Sequence, residues 1–362
     1  MTKFKSIALV VLAGLFLQSC SNDDDGPNND PENGTYSKGV FILNEGAYGK
    51  SNADVTYYNP NSKLSETNPI QGIFKKANAG QTLGDVAQDI LLKGNKAYVV
   101  VNNSNKVEIV DPTTFKRIST ITDNIVNPRY IAVNDKYIYV TNWGSPSNST
   151  DDYIAVFNVS DYKFVKKIAV AEGPGHIIVE NNIIYVAFEE SGRENVYGKS
   201  VSIIDETKNI TTTIGVGDAP TDMVKKGTNL YVLSQGLPSW NANESTGSLT
   251  RIDLANNNNT TTFNFGKTEH PAHLSESDGY LYYAINNDVY KMKTDATTLP
   301  TTKFFKSSAT YLYGLKVDGN NIYVLDAKDF NSAGNLSIYN TSGVLQEDVT
   351  TGIGPNAVLV KK

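Results

Sequence analysis

His176 sits in Gly-Pro-Gly-His and His273 in His-Pro-Ala-His, 97 residues apart. Both stand just after a proline, at the start of an apolar stretch. Two imidazoles held at the same place in two copies of one unit could anchor a polar group or serve as an axial ligand to a bound metal. With no acidic ligand close by in sequence, they do not make a protein-built zinc site. Glu45, Asp89 and Asp222 are carboxylates that could surround the same place, as in hydrolases that hold calcium. No G-x-S-x-G elbow, H-E-x-x-H pair or phosphate-cradling glycine loop occurs in the right setting. No catalytic residue or resident cofactor is therefore assigned, and no metal site is expected.

A repeat must position these residues. The stretch "KYIYVTNWGS", Lys136 to Ser145, has near copies along the chain. Its tyrosine returns as Tyr98, Tyr139, Tyr185, Tyr231, Tyr282 and Tyr323, at spacings of 41, 46, 46, 51 and 41 residues. "GVFILN", with Phe41 in the tyrosine place, is a seventh copy. Before each copy lies a short apolar run, often opened by proline ("NPRYIAV", "GPGHIIV", "APTDMV"). After it come a loop, a third run ("KVEIVDP", "SVSIIDE") and in many units a fourth, more polar one. Four short strands in 40–50 residues make one blade of a β-propeller. An isolated blade leaves both faces partly bare, so blades must stack in a ring. The last unit, "IGPNAVLVKK", is a first strand with nothing after it, and "KGVFILN" opens with a second strand. The fold predicted is all-β: a seven-bladed β-propeller over residues 38–362, its N- and C-terminal strands closing one shared blade. The seven innermost strands centre on Ile90, Ile131, Ile177, Met223, Leu274, Leu315 and Val358.

In such a ring, the starts of the innermost strands and the loops after the second strands share one face. The starts read Gln88/Asp89, Arg129/Tyr130, Gly175/His176, Thr221/Asp222, Ala272/His273, Tyr313/Gly314 and Asn356/Ala357. The loops differ in length, and "NWGSPSNSTDD", "EESGRENVYGKS" and "SQGLPSWNANESTGS" are long. Both tryptophans, Trp143 and Trp240, fall in these loops, as do Tyr48, Tyr197 and Phe330. Aromatics mixed with amides and a few charges suit a flat or partly apolar ligand. The expected ligand-binding residues are Glu45, Tyr48, Arg129, Trp143, His176, Tyr197, Asp222, Trp240, His273, Tyr313 and Phe330.

The N-terminus reads separately. "MTKFK" precedes the apolar run "SIALVVLAGLFL", the size of a signal-peptide core and too short to span a bilayer comfortably. It ends in "LQSC", which resembles the bacterial lipobox, with Cys20 as the lipid attachment site. Cys20 is the only cysteine. Residues 1–19 are then a signal peptide, and residues 20–37, rich in Asp, Asn, Pro and Gly, an acidic tether. Without residues 1–19 the chain holds 30 basic and 38 acidic residues, a net charge of −8. That balance argues against nucleic acid as a partner.

"YVTN" at Tyr139–Asn142, in its phased copies, resembles the signature of YVTN or YncE-like seven-bladed propellers. "GVFILNEGAYGKSNADVTYYNP" and "QTLGDVAQDI" resemble Bacteroidetes surface lipoproteins of this fold. The resemblance implies a monomeric propeller domain on the outer membrane, held by its lipid alone and facing the cell exterior. One group of such proteins, BtuG, binds vitamin B12 and passes it to a TonB-dependent transporter. A small nutrient, with a corrinoid as one candidate, is accordingly the expected ligand, and such a transporter the expected partner. A protein-binding scaffold and a propeller hydrolase or lactonase stay open as alternatives.

Overall fold

The computed structural model describes residue 36 and residues 38–362, apart from 66, 67, 192 and 194. The proposed signal peptide, Cys20 and nearly all of the tether lie outside the described residues. Seven antiparallel sheets form a ring, six of four strands and one of three. The innermost strands are Ala87–Lys93, Pro128–Val133, Pro174–Glu180, Pro220–Lys226, Pro271–Ser277, Leu312–Asp318 and Pro355–Lys361. Each contains the residue on which the repeat centred it. Blades are numbered 1 to 7 in that order.

Blade 7 is the shared one. Its innermost strand, Pro355–Lys361, pairs antiparallel with Gly39–Asn44, which pairs with Asp54–Tyr58. No fourth strand follows among the described residues. Tyr57 and Ile70 exchange two backbone hydrogen bonds at 2.9 and 2.8 Å, and a short helix, Ile73–Ala77, follows. Pro69 has no N–H to give a ladder, which keeps this edge from continuing. Blade 5 is also thin on its outside, where Phe305–Lys306 is its whole fourth strand.

The core explains why the second strands are apolar from end to end. It is divided into seven buried clusters, each filling the space between two neighbouring blades. Side chains alternate across a strand. Ala97, Val99 and Val101 therefore pack toward blade 7, while Tyr98 and Val100 pack toward blade 2. A strand buried on both faces reads as a continuous apolar run.

The site is shaped by a repeated irregularity. At its start, every innermost strand loses register with its neighbour. Thr221 is passed over between Pro220 and Asp222, Tyr313 between Leu312 and Gly314, and Asn356 between Pro355 and Ala357. Gln88 is passed over in blade 1. Two residues are passed over in each of blades 2, 3 and 5: Arg129 and Tyr130, Gly175 and His176, His273 and Leu274. Such bulges re-aim side chains that regular pairing would commit to the sheet. Here they surround the ring axis.

Candidate functional site

Residues from all seven bulges line a cavity of about 1040 Å³ on the axis. Of the residues expected from sequence, Glu45, Arg129, His176, Tyr197, Asp222, His273 and Tyr313 line it. Four do not. Tyr48 and Trp240 stand on the rim loops, each 80% exposed. Phe330 lies behind the wall, edge-on to Tyr313 at 4.8 Å and to Tyr311 at 5.4 Å. Trp143 is roofed by Arg129, whose guanidinium carbon sits 4.0 Å from the indole centroid.

Glu45 joins the two ends of the ring. It accepts hydrogen bonds from the Tyr313 hydroxyl at 3.2 Å and from Asn356 Nδ2 at 2.9 Å. Burial raises its pKa, and those two hydrogen bonds and Arg129 oppose the rise. Asp89 and Asp222 occupy matching positions and do matching work. Asp89 accepts the Ile131 amide and Asp222 the His273 amide, both at 3.0 Å. Each carboxylate thus satisfies a backbone donor freed by the next blade's bulge. His273 has a φ of 63°, and burial lowers its imidazole's pKa, with Asp222 opposing. The Tyr130 and His176 rings lie 5.5 Å apart, and His176 Nδ1 is buried with no hydrogen-bond partner.

Arg129 reaches Glu189 with Nη2 to Oε1 at 3.5 Å. Glu189 is buried, and its pKa is pushed up to about 7 by burial, which the nearby Arg129 opposes and Asp222 and Glu190 reinforce. Glu189 and Glu190 were missed in the sequence, although a signal for the first exists. Four residues past the repeat tyrosine stand Asn102, Trp143, Glu189, Gln235 and Asn286. In that column, Glu189, Gln235 and Asn286 line the cavity. Arg129 shares the lining with Glu45, Asp89, Glu189, Glu190 and Asp222, so the cavity is rich in acceptors. Among the described residues, no three His, Cys, Asp or Glu side chains are grouped so as to hold a metal ion.

Residues 38–348 match the family described as Domain of unknown function (DUF5074). The chain belongs to that family. Its ring also resembles solved structures. A quinonprotein alcohol dehydrogenase-like protein from Bacteroides thetaiotaomicron VPI-5482 superposes with a TM-score of 0.68 at 15% identity, covering 91% of this chain and 80% of that one. A hypothetical selenium-binding protein from Sulfolobus tokodaii gives 0.66 at 10% identity, with coverage of 89% and 93%. Kuenenia stuttgartiensis hydrazine synthase gives 0.62 at 14%, with coverage of 80% and 90%. Identities this low show a shared propeller and no shared chemistry. No curated protein matches the chain.

Proposed function

We propose that this DUF5074 propeller is a binding protein that captures a small nutrient at the mouth of its channel. One observation carries the reading: seven bulged strand starts converge on one cavity of about 1040 Å³. That is the size of small-molecule sites, which pair shaped walls with a few placed polar groups. Tyr130, Tyr197 and Tyr313 supply rings; Arg129, Glu45 and Glu189 supply charge. A rigid ring gives up little conformational entropy on binding. Lipidation at Cys20 would hold the domain on the outer face of the outer membrane, where a TonB-dependent transporter takes over the ligand. A corrinoid suits the mouth, because its amide arms donate to carboxylates and accept from a guanidinium.

The test is to denature the purified protein and identify the small molecules it releases by mass spectrometry. Visible absorbance before denaturation reports a corrinoid directly. A colourless protein that releases nothing, and shows no heat on titration with cobalamin, would remove the corrinoid; an equally silent response to a nutrient library would remove capture itself. Tyr48 and Trp240 favour a second role for the rim. Two aromatics this exposed suit a protein partner, and a pull-down that recovers a transporter without added ligand would support docking through them.

A further inference from the structure

Arg129 is under-used for a partly buried guanidinium. Of its five N–H donors, one makes a long contact with Glu189 at 3.5 Å. Its Nε is buried with no acceptor. Its place over the Trp143 ring, with Cζ 4.0 Å from the centroid, satisfies no N–H. Glu189 is built into its position. Its side chain is 6% exposed, and residue 175 makes room for it: a Cβ on Gly175 would lie 2.5 Å from Glu189 Cδ. Around it stand Arg129 and Tyr130 from blade 2, His176 beside Gly175 in blade 3, Asp222 from blade 4, and its neighbour Glu190, which faces Tyr197. Asp222 and Glu190 oppose its ionisation, and Arg129 supports it.

We propose that Glu189 is a proton-operated latch on Arg129: as a carboxylate it holds the guanidinium over Trp143, and as a carboxylic acid it lets the guanidinium turn its N–H donors toward an anionic oxygen group, carboxylate or phosphate, of the ligand. This rests on the mouth being the binding site. The acceptor-rich lining repels anions while every acid is ionised, so taking up one proton with the anion removes one repelling charge and releases one cation. Glu189 titrates at about 7, so the latch works near neutrality. Anion affinity rises as pH falls through that value.

The experiment needs no identified ligand. In a Trp240→Phe protein, Trp143 is the sole indole, and its emission is followed from about pH 5 to about pH 9. One transition near pH 7 is expected, and Glu189→Gln in the same background should abolish it. Acetate serves as the anion probe. Its affinity should fall by up to roughly tenfold per pH unit above the midpoint with Glu189 present, and stay flat in the Glu189→Gln protein. Emission that does not change with pH, or a transition that survives Glu189→Gln, overturns the latch. A transition without acetate binding at any pH overturns the assigned ligand chemistry. Circular dichroism checks the fold. Should Glu189→Gln not fold, Arg129→Gln is the second variant: without the cation over Trp143, the emission change should vanish, and its persistence overturns the proposal. An intact transition and acetate binding in a protein that retains no nutrient would count against the proposed function alone.

Discussion

Buried carboxylates set how this protein responds to pH. The folded state raises Glu189 from its ordinary 4.5 to about 7 and Asp152 from 3.8 to about 6, by burial first in both cases. A raised acid holds its proton more tightly when folded than when unfolded. Its contribution is therefore fully present below the unfolded pKa and lost as pH rises through the folded one. For Glu189 that window runs from 4.5 to about 7 and is worth roughly 3 kcal/mol. Denaturant unfolding should show stability falling across the window, and Glu189→Gln should remove most of Glu189's share of the slope while leaving that of Asp152. Arg129→Ala should weaken ligand binding by about 2 kcal/mol, near thirtyfold, measured by calorimetry. Arg129→Lys should rescue little, because an ammonium does not spread its donors in a plane.

At the scale of the strand, alternation and bulges divide the work. Leu230 and Leu233 lie in one second strand of blade 4, yet Leu230 packs toward blade 3 and Leu233 toward blade 5. Each truncation to Ala should cost about 2–5 kcal/mol. Because they open cavities in different interfaces, the double variant should sum the two within about 0.5 kcal/mol, read from denaturant midpoints. Asp222→Ala should cost roughly 1–3 kcal/mol by leaving the His273 amide buried and unpaired; a thermal melt reports it. The strands themselves were legible because six second strands repeat one tyrosine in one phase and the seventh puts Phe41 in its place. The bulges were not, since an extra residue in a short strand leaves the apolar pattern nearly unchanged. That is why the strand starts could be named in sequence but not their pairing: Asp89 and Asp222 read there as mouth carboxylates, and in the structure both also hold the next blade's backbone. Trp143 shows the same limit. Its place at a strand end was readable, but the Arg129 guanidinium covering it comes from another strand. Glu189 was hidden inside a segment read as loop.

The whole molecule is a ring whose closure is distributed over two ends of the chain. Pro355–Lys361 pairs with Gly39–Asn44 along its length. Lys361 Nζ adds hydrogen bonds to the Tyr36 and Pro112 carbonyls and to Thr113 Oγ1, while Tyr36 itself is buried against Phe41, Tyr57 and Phe115. Ending the chain before Pro355 would bare one edge of Gly39–Asn44, a run buried throughout. Unpaired apolar edges recruit other chains. Such a truncation should elute from size exclusion as aggregate or oligomer and lose its sharp melting transition, where the full domain runs as a single species. Closure by a shared blade was readable because the fragment at each end lacked what the other supplied.

Seven separate seams between blades, rather than one pool of apolar side chains at the centre, have a consequence for how such a chain can change. Apart from the carboxylates that pin a neighbouring blade, Glu45, Asp89 and Asp222, the charged and amide residues facing the axis do not fill the seams. Substitutions at those other lining positions can retune what the hole admits at little cost to folding, whereas those in the seams are felt as lost stability and leave the hole's chemistry alone. Durability and taste are written at different positions of each repeat, so one can be revised while the other is kept.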